Sequence, residues 1–155
     1  MDTNALLREL ELDEGVRLAP YRDTRGYLSI GIGRCLDTNP VTPEETAYIG
    51  HDCRKFPITE GQARYLAGHD VARTCLRLSR ALPWWSRQPE EIQRVLANMA
   101  FNLGVPGLLS FKNTLGAIER GAYADAAKAM RASLWAHQVK GRAERLAKRV
   151  EEYQK

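Results

Sequence analysis

Residues 12–33 read LDEGVRLAPYRDTRGYLSIGIG, and the fold can be predicted outward from them. Two short apolar or aromatic runs flank residues 23–26, where Asp and Gly favour a turn. This pattern predicts a β-hairpin. Gly31 and Gly33 alternate with isoleucine in its second strand, and glycine inside a strand often marks a close approach by another backbone or by a ligand.

A short helix is predicted just before the hairpin, over residues 5–13. Three of its leucines share one face, as in a helix that packs against a core. Thr3 or Asn4 can cap its start, because a side-chain oxygen there can accept a hydrogen bond from the first turn. Gly15 follows and can end the helix in the left-handed conformation.

Helices are predicted to dominate the rest of the chain. Residues 35–57 are rich in turn residues, with one helical turn after Pro43. Thr59 and Gln62 fit a capping box that starts a helix over about residues 60–79, roughly 30 Å long. After a break at the Pro-Trp-Trp sequence, the remaining helices are predicted over residues 90–103, 112–120, 123–132 and 141–153.

These elements predict a mostly helical α+β fold, with one domain made of two lobes. The first lobe, about residues 13–59, holds the β-sheet. The second lobe, about residues 80–155, is helical and includes the N-terminal helix, and the helix over about 60–79 connects the lobes. A chain of 155 residues buries enough surface to be stable without metal ions or disulfides.

The cysteines give no sign of a metal site or a disulfide framework. Cys35, Cys53 and Cys75 are an odd number and lack CxxC spacing, so we expect reduced thiols, no metal and no cofactor. No apolar run of about 18 residues predicts a transmembrane helix. Residues 1–12 carry acidic side chains and no apolar core, so we do not expect a secretory signal peptide.

The charge is distributed unevenly along the chain. Lys and Arg outnumber Asp and Glu by five after residue 80 and fall one short of them before it. A basic half suggests an anionic partner, which composition leaves open between nucleic acid, cell wall and membrane surface. The basic side chains of residues 140–155 either dock on such a surface or form an ordinary solvated helix face.

Two acidic residues suggest where chemistry takes place. Glu14 ends the first helix and Asp23 lies in the hairpin turn, so independent elements can place the two carboxyl groups on opposite walls of a cleft. Glycosidic bond cleavage needs one carboxyl that stays protonated and one that stays ionised. Ser29, on the second strand, can hold the attacking water. Spacing alone would not suffice, since such acid pairs occur by chance in many proteins.

The complete motif is far more specific than the acid pair. Glu-Gly at 14–15, Tyr-x-Asp-x-x-Gly at 21–26 and Ile-Gly-Ile-Gly at 30–33 closely resemble the start of the T-even type of bacteriophage lysozymes, glycoside hydrolase family 24. The resemblance continues through Ile-Thr at 58–59, residues 98–104, 110–115 and 133–135, and Gly-Arg-Ala-Glu-Arg at 141–145. It spans nearly the whole chain and is weakest over residues 36–57.

The resemblance implies a lysozyme-like two-lobe fold and assigns roles to particular residues. Glu14 takes the position of the general acid, Asp23 that of the second carboxylate, and Ser29 a position where the family has Thr. Arg142 falls where the family has an Arg near the catalytic Glu, so an ion pair with Glu14 is expected. Phe101 and Thr114 match cleft positions that contact sugar, although an ordinary core role for Phe101 stays open; these two and Cys35 are the expected substrate-contacting or supporting residues.

Two positions depart from the family pattern. Arg34 stands where the family has His, at a position that pairs with an acid on the long helix, and Asp70 is in place here. An Arg34–Asp70 pair would lack the pH switching of a histidine. Cys35 stands where the family has a cleft-lining Leu. These departures concern fine substrate preference and leave the reaction class unaffected.

The function implied by the resemblance is that of an endolysin, a bacteriolytic muramidase of a bacteriophage. It would hydrolyse the β-1,4 bond between N-acetylmuramic acid and N-acetylglucosamine in peptidoglycan, with inversion, and so cause host cell lysis. Inversion requires the carboxyl groups of Glu14 and Asp23 to lie about 6.5–9.5 Å apart. The protein would be made in the host cytoplasm and would reach periplasmic peptidoglycan after holin-type release or delivery in a particle.

Peptidoglycan is therefore the expected partner, with an anionic membrane surface as a further contact. A monomer without metal or nucleic acid is expected. One alternative is an inactive lysozyme-fold module that binds the wall or regulates another protein. Another is a helical nucleic-acid-binding protein, which would leave the Glu14/Asp23 pair unexplained. Trp84 and Trp85 are expected to pack at a helix joint, with sugar stacking as the other possibility.

Overall fold

The computed structural model describes residues 1–153. These form a mostly helical α+β fold with a small antiparallel sheet, which confirms the predicted fold class. The elements, in chain order, are α1 Thr3–Glu14, β1 Arg17–Arg22, β2 Leu28–Gly31, β3 Arg34–Cys35, α2 Pro43–Ile49, α3 Glu60–Ala81, a 3₁₀ turn Trp85–Arg87, α4 Glu90–Leu103, α5 Val105–Leu109, α6 Lys112–Glu119, α7 Tyr123–Arg131, α8 Leu134–Val139 and α9 Gly141–Glu151.

The chain divides into two compact units. One comprises Thr3–Arg73 and the other comprises Met1–Asp2 together with the chain from Thr74 onward. The sequence places the N-terminal helix with the second lobe, whereas its contacts group α1 with the sheet. The two-lobe arrangement stays a prediction, and residues 154 and 155 of the predicted second lobe lie outside the described residues.

The sheet of the Thr3–Arg73 unit is the predicted hairpin with one short strand added. Its order is β1-β2-β3, and both pairings are antiparallel. Tyr21 pairs with Ser29, and Ser29 pairs with Cys35 on its other side. Directly opposed residues in an antiparallel sheet share a face, so these three side chains form one cross-strand row. Ile30 and Arg34 pair in the next row, which belongs to the opposite face of the sheet. Both side chains are buried there.

The first helix differs from its prediction at one end. It begins at Thr3, so the prediction that Thr3 or Asn4 caps it is wrong, because both residues already lie within the first turn. The other end is as predicted. Gly15 adopts φ +74°, and its N–H donates to the Glu11 carbonyl at 3.0 Å, which satisfies one of the last carbonyl groups of α1.

Capping boxes start both later helices of this unit. The side chains and amides of Thr59 and Gln62 bond reciprocally at 2.9 and 3.1 Å, as predicted for α3. A second box, between Thr42 and Glu45, was missed. It starts α2, which has seven residues where one turn was predicted. The pattern Thr-Pro-Glu-Glu contains its signal, because Pro favours the first helical position and Glu the third.

The unit that follows Arg73 is all helical among the described residues. The boundaries of α4, α6, α7 and α9 agree with prediction to within two residues. The short helices α5 and α8 were missed, because helices of five or six residues carry too little periodicity to be recognised. Trp85 is buried after the end of α3 and donates its indole N–H to the Gln93 carbonyl, as expected for a helix joint. Within residues 1–153, every helix is too short or too polar to span a membrane.

Candidate functional site

Glu14 ends α1 with its side chain half-buried against the main chain of Gly33. A Cβ atom placed at Gly33 would lie 3.1 Å from Oε2 of Glu14 and 3.2 Å from its carboxyl carbon. Gly33 also has φ +69°, a conformation that side chains disfavour. Glycine at this position therefore allows the carboxyl group of Glu14 to rest directly on the turn between β2 and β3.

Asp23 is held by the hairpin turn itself. Its Oδ1 accepts the backbone N–H groups of Arg25 at 2.8 Å and Tyr27 at 2.9 Å. Its own backbone closes the turn, since its N–H donates to the Tyr27 carbonyl and its carbonyl accepts from Gly26. One oxygen thus anchors the side chain, and the other is left for contacts outside the turn, with no hydrogen bond to it among the described residues.

The pKa of Tyr21 is influenced by both carboxylates. Burial raises the pKa of Tyr21, and the negative charges of Glu14 and Asp23 raise it further against the opposing charge of Arg17. The phenol is therefore within electrostatic reach of both carboxylates. Tyr21 shares its cross-strand row with Ser29, which is 4% exposed. The predicted catalytic residues Glu14, Asp23 and Ser29 thus lie in one unit, and Tyr21 is linked to each of them by charge or by strand pairing.

Cys35 completes the row on the far side of Ser29. Its thiol is half-exposed and unbonded to another cysteine. The sequence analysis placed Cys35 among the substrate-contacting residues, and its row puts it on the same face as Ser29. No cluster of three His, Cys, Asp or Glu side chains within residues 1–153 could hold a metal ion.

The expected Arg34–Asp70 pair is present, with Nη1 and Oδ1 3.2 Å apart, but Asp70 is not the main partner. Arg34 is 1% exposed, and both its terminal nitrogens bind the Glu45 carboxylate, at 2.7 and 3.1 Å. Its remaining donors reach the carbonyls of Asn39 at 2.7 Å and Pro40 at 3.2 Å. Each nitrogen of the guanidinium has an acceptor, as a buried charge requires.

Glu45 is ionised because of these partners. Burial alone would raise the pKa of Glu45, but hydrogen bonds from Arg34 and from the Thr42 amide outweigh it and lower the pKa to about 2. His69 adds a contact of 3.0 Å from Nδ1 to Oε2. The Arg34–Glu45 pair was not predicted, because the sequence around Glu45 shows only a turn-rich stretch.

The other three predicted site residues lie in the second unit. Thr114 is 2% exposed on α6, and Phe101 is half-buried on α4. Arg142 is buried on α9, where its Nε donates to Oδ1 of Asn98 at 3.0 Å. The expected contact of Arg142 with Glu14 stays a prediction.

An open pocket of about 550 Å³ lies within this second unit. Thr114 lines it, and Phe101 does not. Trp135 contributes its ring, packs edge-on against Phe111 and donates its indole N–H to Asn102 at 2.8 Å. Before the structure, Trp135 was included only in the family resemblance. Ser133 was a further signal, because as an N-cap it starts the short helix that carries Trp135.

Comparison with known proteins places the chain in a family. The profile of the phage lysozyme family matches residues 11–152. "Probable T4-type lysozyme 1" of Dictyostelium discoideum is 33% identical over 92% of this chain and 91% of that protein. "Probable T4-type lysozyme 2" of the same organism is 30% identical over 88% of each. The "Pre-baseplate central spike protein Gp5" of Enterobacteria phage T4 is 37% identical over 88% of this chain, which spans only 26% of that longer protein.

These matches cover the hairpin, the residues that hold Glu14 and Asp23, and the helices that follow. They agree with the mostly helical α+β fold that the arrangement of helices and strands shows. The chain therefore belongs to the phage lysozyme family, and its general activity is that of a lysozyme, a glycoside hydrolase.

Proposed function

We propose that the protein is a muramidase that hydrolyses the β-1,4 bond between N-acetylmuramic acid and N-acetylglucosamine in bacterial peptidoglycan. The observation that supports this most is that the unit holds two carboxyl groups, those of Glu14 and Asp23, each fixed by a different turn. The two are held in different ways. Glu14 lies on the Gly33 turn, and Asp23 is fixed by two backbone N–H groups. Two separately held carboxyl groups are what glycosidic cleavage requires.

In this mechanism Glu14 acts as the general acid. It donates its proton to the glycosidic oxygen as the bond to the anomeric carbon breaks. A water molecule held by Ser29 attacks that carbon from the opposite side, and Asp23 takes up the proton that the water loses. The configuration at the anomeric carbon inverts, with the carboxyl groups about 6.5–9.5 Å apart. We assign Cys35, Phe101 and Thr114 to substrate contact and Arg142 to support of Glu14.

The biological role we propose is that of a bacteriophage endolysin that lyses its host. The enzyme would be made in the host cytoplasm and would act on periplasmic peptidoglycan, with contact to an anionic membrane surface as it arrives. Release through a holin is one route. Similarity to a protein named as a baseplate central spike favours delivery by the particle as the second route.

Substitution of Glu14 tests the proposed acid. We expect Glu14→Gln to slow the release of reducing ends from peptidoglycan by about 10²–10⁴-fold, since the amide has no proton to donate. Turbidity loss of chloroform-treated Gram-negative cells gives the same comparison on whole walls. Glu11→Gln is the matched control, because Glu11 lies on the same helix and its half-buried carboxylate pairs only with the exposed Arg64. Equal clearing by wild type and Glu14→Gln would remove Glu14 from the mechanism.

The bond cut and its stereochemistry need separate measurements. Mass spectrometry of the products should find N-acetylmuramic acid at the new reducing ends. Proton NMR of the first turnovers should show the α-anomer before mutarotation. A first-formed β-anomer would refute inversion, and full activity in Asp23→Ala would exclude Asp23 as the second carboxylate. Wall binding without any bond cleavage by the wild type would instead favour the inactive wall-binding module.

A further inference from the structure

Two arginines beside the candidate site lie on tyrosine rings. The guanidinium carbon of Arg17 is 4.1 Å from the ring centroid of Tyr21, and that of Arg25 is 5.5 Å from the centroid of Tyr27. Both arginines are exposed. Cation–π contacts of this kind hold a guanidinium in place without neutralising its charge.

These two side chains differ from most other arginines of the same unit. Arg34, Arg54, Arg64 and Arg73 each pair with a carboxylate. Within residues 1–153, Arg17 and Arg25 have no carboxylate partner. A guanidinium that is held by an aromatic ring and not by a carboxylate keeps its N–H groups available for another acceptor. The planar fork of guanidinium N–H groups matches the geometry of a carboxylate, which it can bind through two parallel hydrogen bonds.

Both arginines lie close to the predicted catalytic residues. The Arg25 amide donates to Oδ1 of Asp23, and Arg17 lies on the ring that shares a row with Ser29. An anionic group bound by them would therefore sit beside the sugar at the scissile bond. In peptidoglycan the lactyl carboxyl group of each stem-bearing N-acetylmuramic acid is tied up in an amide bond, so the free carboxylates there belong to the peptide stems.

We propose that Arg17 and Arg25 form a binding site for the carboxylates of peptidoglycan peptide stems. This inference rests on the proposed function, and it adds a preference for wall whose stem carboxyl groups are charged. Arg22, which lies between them, has another role. It donates to the Gly26 carbonyl at 3.0 Å and so stabilises the turn.

The test compares native sacculi with sacculi whose stem carboxyl groups are amidated, which removes the charge and preserves the glycan. We expect the wild type to show a higher KM on amidated sacculi. Arg17→Gln and Arg25→Gln should each raise KM on native sacculi by up to about five-fold, the size of one exposed ion pair. On amidated sacculi they should change little. Arg17→Lys, which keeps the charge without the planar fork, should fall in between.

Arg77→Gln is the control, because Arg77 is also exposed and its removal changes the net charge equally. It should leave the ratio of the two KM values unchanged. Co-sedimentation of the Glu14→Gln protein with both kinds of sacculi measures binding apart from cleavage, with and without the arginine substitutions. Absence of hydrolysis by the wild type would refute the proposed function alone. Equal binding of native and amidated sacculi, or a preference that survives loss of both arginines, would overturn the arginine site.

Discussion

At Gly33 the lack of a side chain determines where the carboxyl group of Glu14 can lie. The residue has φ +69°, and its Cα faces Oε2, Cδ and Cγ of Glu14. The glycines at 31 and 33 predict a close approach by another group, and for Gly33 that group is Glu14. Gly31 instead faces Ala63 and Ile58 at ordinary contact distance. One glycine therefore serves the candidate site and the other serves packing.

Gly33→Ala should impair catalysis more than its effect on stability explains. The new methyl group would come within 3.1–3.3 Å of the Glu14 carboxyl group and displace it. Strain at positive φ should also cost about 1–2 kcal/mol of unfolding free energy. Urea unfolding and reducing-end release measure the two effects.

Gly50→Ala provides the matched comparison for that strain. Gly50 has φ +84°, but a Cβ there would meet nothing within 4 Å. We expect a similar loss of stability with activity retained. If both alanine variants kept the same activity, the contact between Gly33 and Glu14 would not matter for catalysis.

At the scale of elements, Arg34 connects β3 to two helices. Glu45 on α2 and Asp70 on α3 both bind it, and Arg73 and Asn39 further engage Asp70. Because Arg34 directly follows Gly33, the same bonds fix the turn on which Glu14 rests. A pair with this burial stabilises the fold only while both partners are present, since one left alone would be an uncompensated buried charge.

The stability provided by Glu45 should depend on pH in the acid range. Its pKa is about 2 in the folded protein and near 4.5 without its partners, so its contribution is complete above about pH 5 and is lost as pH falls towards 2. We expect Glu45→Gln to cost about 3–5 kcal/mol at pH 7. This difference from wild type should shrink by about 2 kcal/mol by about pH 3, where most but not all of the contribution of the Glu45 ionisation has been lost.

Urea unfolding at several pH values between 7 and 3 follows this loss. The control is Glu144→Gln, because Glu144 pairs with Arg131 but is 59% exposed, so its loss should cost less than about 1 kcal/mol at pH 7. A Glu45→Gln protein whose deficit stayed constant down to pH 3 would show that ionisation of Glu45 does not contribute to stability.

At the scale of the whole molecule, charge should govern encounter with the wall. The chain carries a formal net charge of +4, and peptidoglycan is anionic. Attraction between the two should speed association at low ionic strength and weaken as salt shortens the range of the field.

We therefore expect the initial rate of wall hydrolysis to fall as salt rises from about 0.01 to 0.3 M, over which the screening length shortens from about 30 to under 10 Å. Hydrolysis of a soluble glycan fragment whose carboxyl groups have been amidated, and which is therefore neutral, is the control and should vary little. A rate on walls that does not change over this range would show that long-range charge plays no part in the encounter.

Features that depend on neighbours a few residues apart could be predicted from the sequence. It predicted the hairpin from the Asp-Gly turn, the end of α1 from Gly15, and the start of α3 from Thr59 and Gln62, because turns and caps are made by local hydrogen bonds. The family motif added the roles expected of Glu14, Asp23 and Ser29. Local signals failed where helices are very short, as in α5 and α8.

Contacts between groups far apart in the chain required the three-dimensional structure. Sequence pattern suggested Asp70 as the partner of Arg34, and the fold brought in Glu45 as the stronger one. It also placed the carboxyl group of Glu14 on Gly33, nineteen positions further along the chain. Such contacts depend on how strands and helices pack in space. The sequence of residues 12–33 predicts the fold. The packing of α1 against the turn between β2 and β3 determines how the carboxyl group of Glu14 is held.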